Sequence, residues 1–248
     1  MDSPQPDIKI CKNSQDLYIT AAQEIVQTAL DACTKRGRFF WALAGGNTPR
    51  ALYQLLSQDP YRQQMPWSRT WLFWGDERSV PLEHSDSNYA MARHALLEHV
   101  PIPPQQIFPM QAQLSYIREN ALRYQQYLNN TLTLNSQGIP QFDLILLGMG
   151  EDGHTASLFP RTAILQENQQ WVAAVYVEKL NTWRLSFTYP LINAAHHVMI
   201  LVTGRNKAPI VQTIMHNDPL AQNYPIYKIH KGAKHLRWLV DPEAAALI

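Results

Sequence analysis

Residues 146–160 read LLGMGEDGHTASLFP, and the reading of this stretch decides the fold. Gly148, Gly150 and Gly153 satisfy G-x-G-x-x-G, the dinucleotide-binding pattern. That reading needs a strand, a glycine turn and a crossover helix. The strand is there, in DLILLGMG. The helix is not: only six residues separate Gly153 from Pro160. That is under two turns before a helix-breaking residue, where a crossover needs about a dozen residues or more. The acidic residue such folds carry roughly 20 positions on is also misplaced, with Glu167 too early and Glu178 too late. The glycines are therefore read as shaping a loop that aims Asp152 and His154. Histidine suits general-base work near neutral pH, and a carboxylate two residues away contributes to its orientation or charge. The competing reading of a lone histidine is a structural hydrogen bond. The flanking glycines and the strand-end position favour function.

Outward from this loop the same rhythm recurs. FFWALA (39–44), WLFW (71–74) and HVMILVTG (197–204) are apolar runs of buried-strand type. Helical spacing marks a helix after Ser14, which is placed to cap it, with Gly37 as its stop. Further helices are expected over ALYQLL, over 88–100, over 116–132 and over KAPIVQTIM. QWVAAVYV and TWRLSFTY are strands whose partners the sequence leaves open, and the first dozen residues read as a leader ending in the strand DIKIC. Continuous apolar strands alternating with helices imply a mainly parallel, Rossmann-like sheet in a three-layer α/β/α sandwich. One domain is expected over residues 1–248.

In such sheets ligands bind beyond the carboxyl ends of the strands. Four strands run into polar, glycine-bearing segments: AGGNTP, GDERS, GMGEDGH and TGRNK. If these segments are neighbours in space, they form one pocket. In the first, Gly45 and Gly46 allow close backbone approach, Thr48 is placed to cap the next helix, and Pro49 suits its first position. A helix start of this kind favours an anion; it also fits a plain tight turn. Lys207 is either a solvated surface lysine or a point charge for phosphate. In GDERS, Asp76, Glu77 and Arg78 are either the sheet meeting water or an inward-aimed arginine oriented by Asp76.

The chain has 248 residues, is 46% hydrophobic and 17% charged, and carries a formal charge of +1. This argues against a broad basic field for nucleic acid but not against a local anion site. Cys11 and Cys33 are the only cysteines and read as reduced thiols. No apolar stretch approaches the roughly 18 residues of a membrane span, and no signal-like run opens the chain; a cytoplasmic protein is expected. There is no Walker A loop, no G-x-S-x-G elbow and no H-E-x-x-H, so Ser157 is read as a helix-turn residue and no required metal is inferred. His196 and His197 are adjacent at a strand start and make poor joint ligands. The tryptophans lie mostly in or beside apolar runs, as core residues do.

Taken together, ALAGGNTPRALYQLL, FWGDERSVPLEHSDSNYAMARHALL, FDLILLGMGEDGHTASLFP and YPLINAAHHVMILVTGRNKA resemble the 6-phosphogluconolactonases of the sugar-phosphate isomerase and lactonase superfamily. The resemblance covers most of the chain. It implies hydrolysis of 6-phospho-D-glucono-1,5-lactone in the oxidative pentose phosphate pathway, with no organic cofactor and with functional coupling to glucose-6-phosphate dehydrogenase. No nucleic-acid or membrane partner is expected. Carried over by motif, Gly45, Gly46, Asn47, Thr48 and Lys207 hold the phosphate, Arg184 adds a cation, His154 is the general base, and Arg78 stands near the lactone or phosphate. The related glucosamine-6-phosphate isomerases and deaminases place a glutamate a few residues after the histidine. Here Thr155–Pro160 contains no acid. Arg161 and Arg205 depart from the lactonase pattern, adding positive charge where glycine and an acidic residue are common.

Overall fold

The computed structural model describes residues 7–248; the start of the expected leader lies outside them. The strands are β1 (Asp7–Ile10), β2 (Phe39–Leu43), β3 (Thr70–Trp74), β4 (Asp76–Arg78), β5 (Ile107–Phe108), β6 (Leu144–Gly148), β7 (Val172–Val177), β8 (Thr182–Phe187), β9 (His197–Val202) and β10 (Leu236–Val240). The helices are α1 (Ser14–Arg36), α2 (Asn47–Leu56), α3 (Tyr61–Gln64), α4 (Asn88–Ala95), α5 (Ile117–Thr131), α6 (Tyr189–Ala194), α7 (Ala208–Met215) and α8 (Pro225–Gly232).

Seven strands form one parallel sheet in the order β1-β10-β9-β6-β2-β3-β5. All five residues of β2 are buried. Successive side chains point to opposite faces, so both faces of this strand are covered. The core is strongly aromatic. Trp41, Trp74 and Trp238 are fully buried, as core tryptophans should be. Phe73 stacks on Phe108 at 4.8 Å and meets Phe142 edge-on at 5.3 Å, the offset and edge geometries that the ring quadrupole favours.

The chain order places the ligand crevice. From β2 the chain moves outward through β3 to β5, then returns to the other side of β2 with β6 and continues to β9 and β10. The order therefore reverses between β2 and β6, and a crevice opens beyond their carboxyl ends.

A second, three-stranded antiparallel sheet runs β4-β8-β7. It supplies the unassigned partners: QWVAAVYV and TWRLSFTY pair with each other as a hairpin, against which α5 packs. GDERS is not only a strand-end loop, because Asp76–Arg78 forms a strand of its own along β8. The Gly75 N–H donates to Leu43 O at 2.9 Å and its carbonyl accepts from Phe187 N at 2.8 Å, tying the small sheet to the large one.

Two helix boundaries away from the crevice differ from expectation. Asn13 caps α1, its side chain accepting from Asp16 N at 2.8 Å, while Ser14 Oγ reaches Asp241 at 3.1 Å. Gly37 ends that helix in the left-handed region, as expected. The helix expected over 88–100 stops at Ala95, followed by a 3-10 turn over 97–99.

Candidate active site

The four strand-end segments line one crevice of about 370 Å3. Nine of the expected site residues border it: Gly45, Gly46, Asn47 and Thr48 after β2, Asp76 and Arg78 on β4, His154 after β6, Arg184 on β8 and Lys207 after β9. The tenth, Asp152, stands behind the histidine. Arg161 and Arg205 are exposed and outside the walls.

The start of the β2 segment is fixed by a fully buried tyrosine. Tyr53 Oη accepts from Ala44 N at 2.9 Å and donates to Ala44 O at 2.8 Å. A Cβ on Gly45 would overlap the Asn88 side chain, so only glycine lets the loop pass. Helix α2 begins at Asn47 with Gly46 in the cap position and no side chain capping it. Thr48 is thus a first-turn residue and not the cap; its hydroxyl bonds that of Thr203 at 2.8 Å, joining the ends of β2 and β9. The uncapped amides of this turn form an anion-favouring end. Lys207 is largely buried, with its ammonium 3.8 Å from Glu151 Oε1.

His154 is locked from two sides. Its Nδ1 lies 2.5 Å from Asp152 Oδ1, and its ring stacks on Phe159 at 3.9 Å. A Cβ on Gly150 would enter the imidazole. The second glycine of the apparent nucleotide motif therefore makes room for this ring. Because the ionised carboxylate can only accept, Nδ1 carries the proton and Nε2 keeps its lone pair. Burial lowers the basicity of His154, and Asp152 and Asp76 partly oppose that. For Asp152, burial acts upward, but hydrogen bonds from His154 and Lys179 outweigh it and bring the carboxyl down to about 2.

Asp76 is buried. Its oxygens accept from Asn88 Nδ2 at 3.2 Å and Ser157 Oγ at 2.6 Å, whereas Arg78 donates to the Asp86 carbonyl at 2.5 Å. Asp76 is therefore a brace among neutral donors and forms no hydrogen bond to Arg78. Arg78 and Arg184 are register partners across β4 and β8, and the Nε of each is buried without a partner. Burial, with Arg78 adding to it and Asp76 opposing, lowers the proton affinity of Arg184. Two arginines with unspent donors on one wall suit an anionic or developing-anion oxygen.

Several site residues were missed from sequence. Asn88, Thr203 and Phe159 lie inside the quoted segments but were given no individual role, and Lys179 lies outside all of them. Ser157, read as a turn residue, anchors Asp76. Among the described residues no three His, Cys, Asp or Glu side chains converge in metal-holding geometry.

Fold and crevice together define an α/β protein with an uncapped helix start, three crevice cations and an oriented imidazole at its sheet switch point. The family described as glucosamine-6-phosphate isomerases/6-phosphogluconolactonase matches residues 12–238, and the chain belongs to it. A 6-phosphogluconolactonase of Synechocystis sp. is 39% identical over 242 residues, covering 98% of this chain and 97% of the relative. One from Nostoc sp. is 37% identical over 94% of each chain. The solved 6-phosphogluconolactonase of Trypanosoma brucei superposes with a TM-score of 0.87 at 29% identity, covering 97% and 98% of the two chains.

Proposed function

We propose that this chain is a 6-phosphogluconolactonase, a single-domain cytoplasmic hydrolase that opens 6-phospho-D-glucono-1,5-lactone to 6-phosphogluconate in the pentose phosphate pathway, next to glucose-6-phosphate dehydrogenase. Its relatives' names and its crevice support the reading. The observation that carries it is the pairing, in one crevice, of an Nε2-basic His154 with an uncapped helix start and Lys207.

The phosphate is held by the 45–48 loop and Lys207, with Arg184 as a further cation. This sets the lactone carbonyl beside His154. Neutral Nε2 takes a proton from water as its oxygen attacks C1. The N–H groups of Gly150 and Gly153 are already engaged within the turn, so Arg78, with Arg184 beside it, is the donor available to the oxyanion. Collapse breaks the bond from C1 to the ring oxygen, which takes up the proton from His154. A preorganised base supplies a factor on the order of 10² to 10⁴.

The sister reaction, amino-sugar ring opening, is disfavoured by the residues just after the histidine. Leu158 and Phe159 are buried there, and Phe159 covers the imidazole face, where that chemistry calls for a carboxylate. The test is acid release at constant pH from freshly generated phosphogluconolactone. Wild-type protein accelerates it, and Lys207→Ala chiefly raises KM. A normal KM in that variant would put the phosphate elsewhere, and no acceleration by wild type would end the assignment.

A further inference from the structure

The turn of the β7–β8 hairpin reaches the back of the histidine. Its lysine, Lys179, places Nζ 3.0 Å from Asp152 Oδ2, while Asp152 Oδ1 holds His154 Nδ1. The three groups form a chain from solvent to the crevice: Lys179 is 68% exposed, Asp152 24% and His154 29%. The hairpin turn is itself fixed, with Asn181 in the left-handed region and its side chain bonded to Tyr176 Oη.

An exposed ion pair of this kind contributes little to folding stability. Its geometric effect is larger. A carboxylate with one oxygen free can swing about its terminal torsion, which has only broad preferences. With both oxygens engaged, Asp152 presents a single oxygen to Nδ1, and the ring is held with Nε2 toward the crevice. We propose that Lys179 is a positioning residue for His154, acting through Asp152 as the outer member of a Lys–Asp–His relay. This rests on the reading of His154 as the base.

The charged groups facing the imidazole and the crevice beside it are Asp152 from its own loop, Asp76 and Arg78 from β4 and Arg184 from β8, with Lys179 behind Asp152 and the Lys207–Glu151 pair across the crevice. Neutralising Lys179 leaves the Asp152 charge less compensated. His154 then holds its proton more tightly, and the acid limb of the pH–rate profile moves to higher pH.

The experiment compares wild type, Lys179→Met and Lys179→Arg by two readouts. The first is kcat for the lactone from pH 5 to 8. The second is the NMR titration of the His154 imidazole, assigned by its loss in His154→Gln. Lys179→Met is expected to lower the plateau kcat about two- to fivefold, the range an exposed pair supports, and to raise the His154 midpoint; Lys179→Arg restores both. A plateau and titration unchanged in Lys179→Met overturn the relay, as does a kcat loss with an unmoved titration, which marks a merely structural contact. Because the titration needs no turnover, an inactive wild type with a shifted Lys179→Met titration defeats the lactonase assignment and leaves the relay standing.

Discussion

At the scale of single residues, the site is governed by how few atoms may move around His154. Asp152 fixes its tautomer, Phe159 its plane, and Gly150 its clearance. In the proposed mechanism His154→Ala removes the base, so kcat should fall by about 10² to 10⁴ with KM for the lactone little changed; a retained kcat in stopped-flow acid release would take His154 out of the chemistry. The pH dependence is set by the direction of its shift. Burial holds the imidazole below its usual midpoint of 6.5, so the neutral base persists into mildly acidic solution, and kcat declines only below that point. Asp152→Asn removes a negative neighbour that raises His154, so its acid limb moves to lower pH while the plateau drops from loss of the tautomer lock. That shift is opposite in sign to the one expected on neutralising Lys179, and the two profiles together test the electrostatics of the relay.

At the scale of elements, the small sheet delivers the two crevice arginines, and β4 is its foundation. Glu77 on β4 is fully buried and accepts from Arg78 N at 2.8 Å, Asn88 N at 2.8 Å, Tyr89 N at 2.9 Å and Ser87 Oγ at 3.0 Å. Burial raises its pKa and the three backbone donors oppose that. It therefore fastens the start of α4 to the strand that carries Arg78, in the position where a helix favours a negative charge. Glu77→Gln should cost about 1–3 kcal/mol in urea unfolding, since an amide cannot accept from all these donors, and it should lower kcat through displacement of Arg78, the donor proposed for the oxyanion. A variant as stable as wild type would show that the helix start is held by something else. This arrangement was not legible in the sequence, although the parallel strands were. β2, β3, β6 and β9 announce themselves as continuous apolar runs ending in glycine-bearing loops, and those loops do meet. The antiparallel sheet is stitched by register across distant segments, as in Arg78 opposite Arg184, and its hairpin turn carries Lys179 to Asp152. No local period encodes such pairings. Thr48 departs from the expected cap for a local reason: the helix starts earlier than Pro49 suggests, so the threonine hydroxyl is released to bond Thr203.

At the scale of the whole molecule, the sheet that creates the crevice also sets the response to acid. Helix α8 meets β10 through His230, which is buried, stacks on Tyr227 and faces Trp238 at a steep angle. Its Nδ1 is buried without a partner. Burial, reinforced by the charge of Lys231, pushes its pKa down to about 4. In the unfolded chain the same imidazole titrates near 6.5. Between those limits the unfolded state binds a proton that the folded state refuses, so stability falls as pH drops from 6.5 toward 4. At about 1.4 kcal/mol per unit this amounts to roughly 3 kcal/mol from one side chain. The lowered midpoints of His196 and His197, at the opposite end of the strands from the crevice, act in the same direction. His230→Phe keeps an aromatic ring between Tyr227 and Trp238 but cannot bind the proton. Its Tm should therefore decline less steeply than that of wild type between pH 6.5 and 4, measured by thermal unfolding in steps across that range. Parallel slopes for the two proteins would mean that the acid sensitivity of the fold lies in other groups.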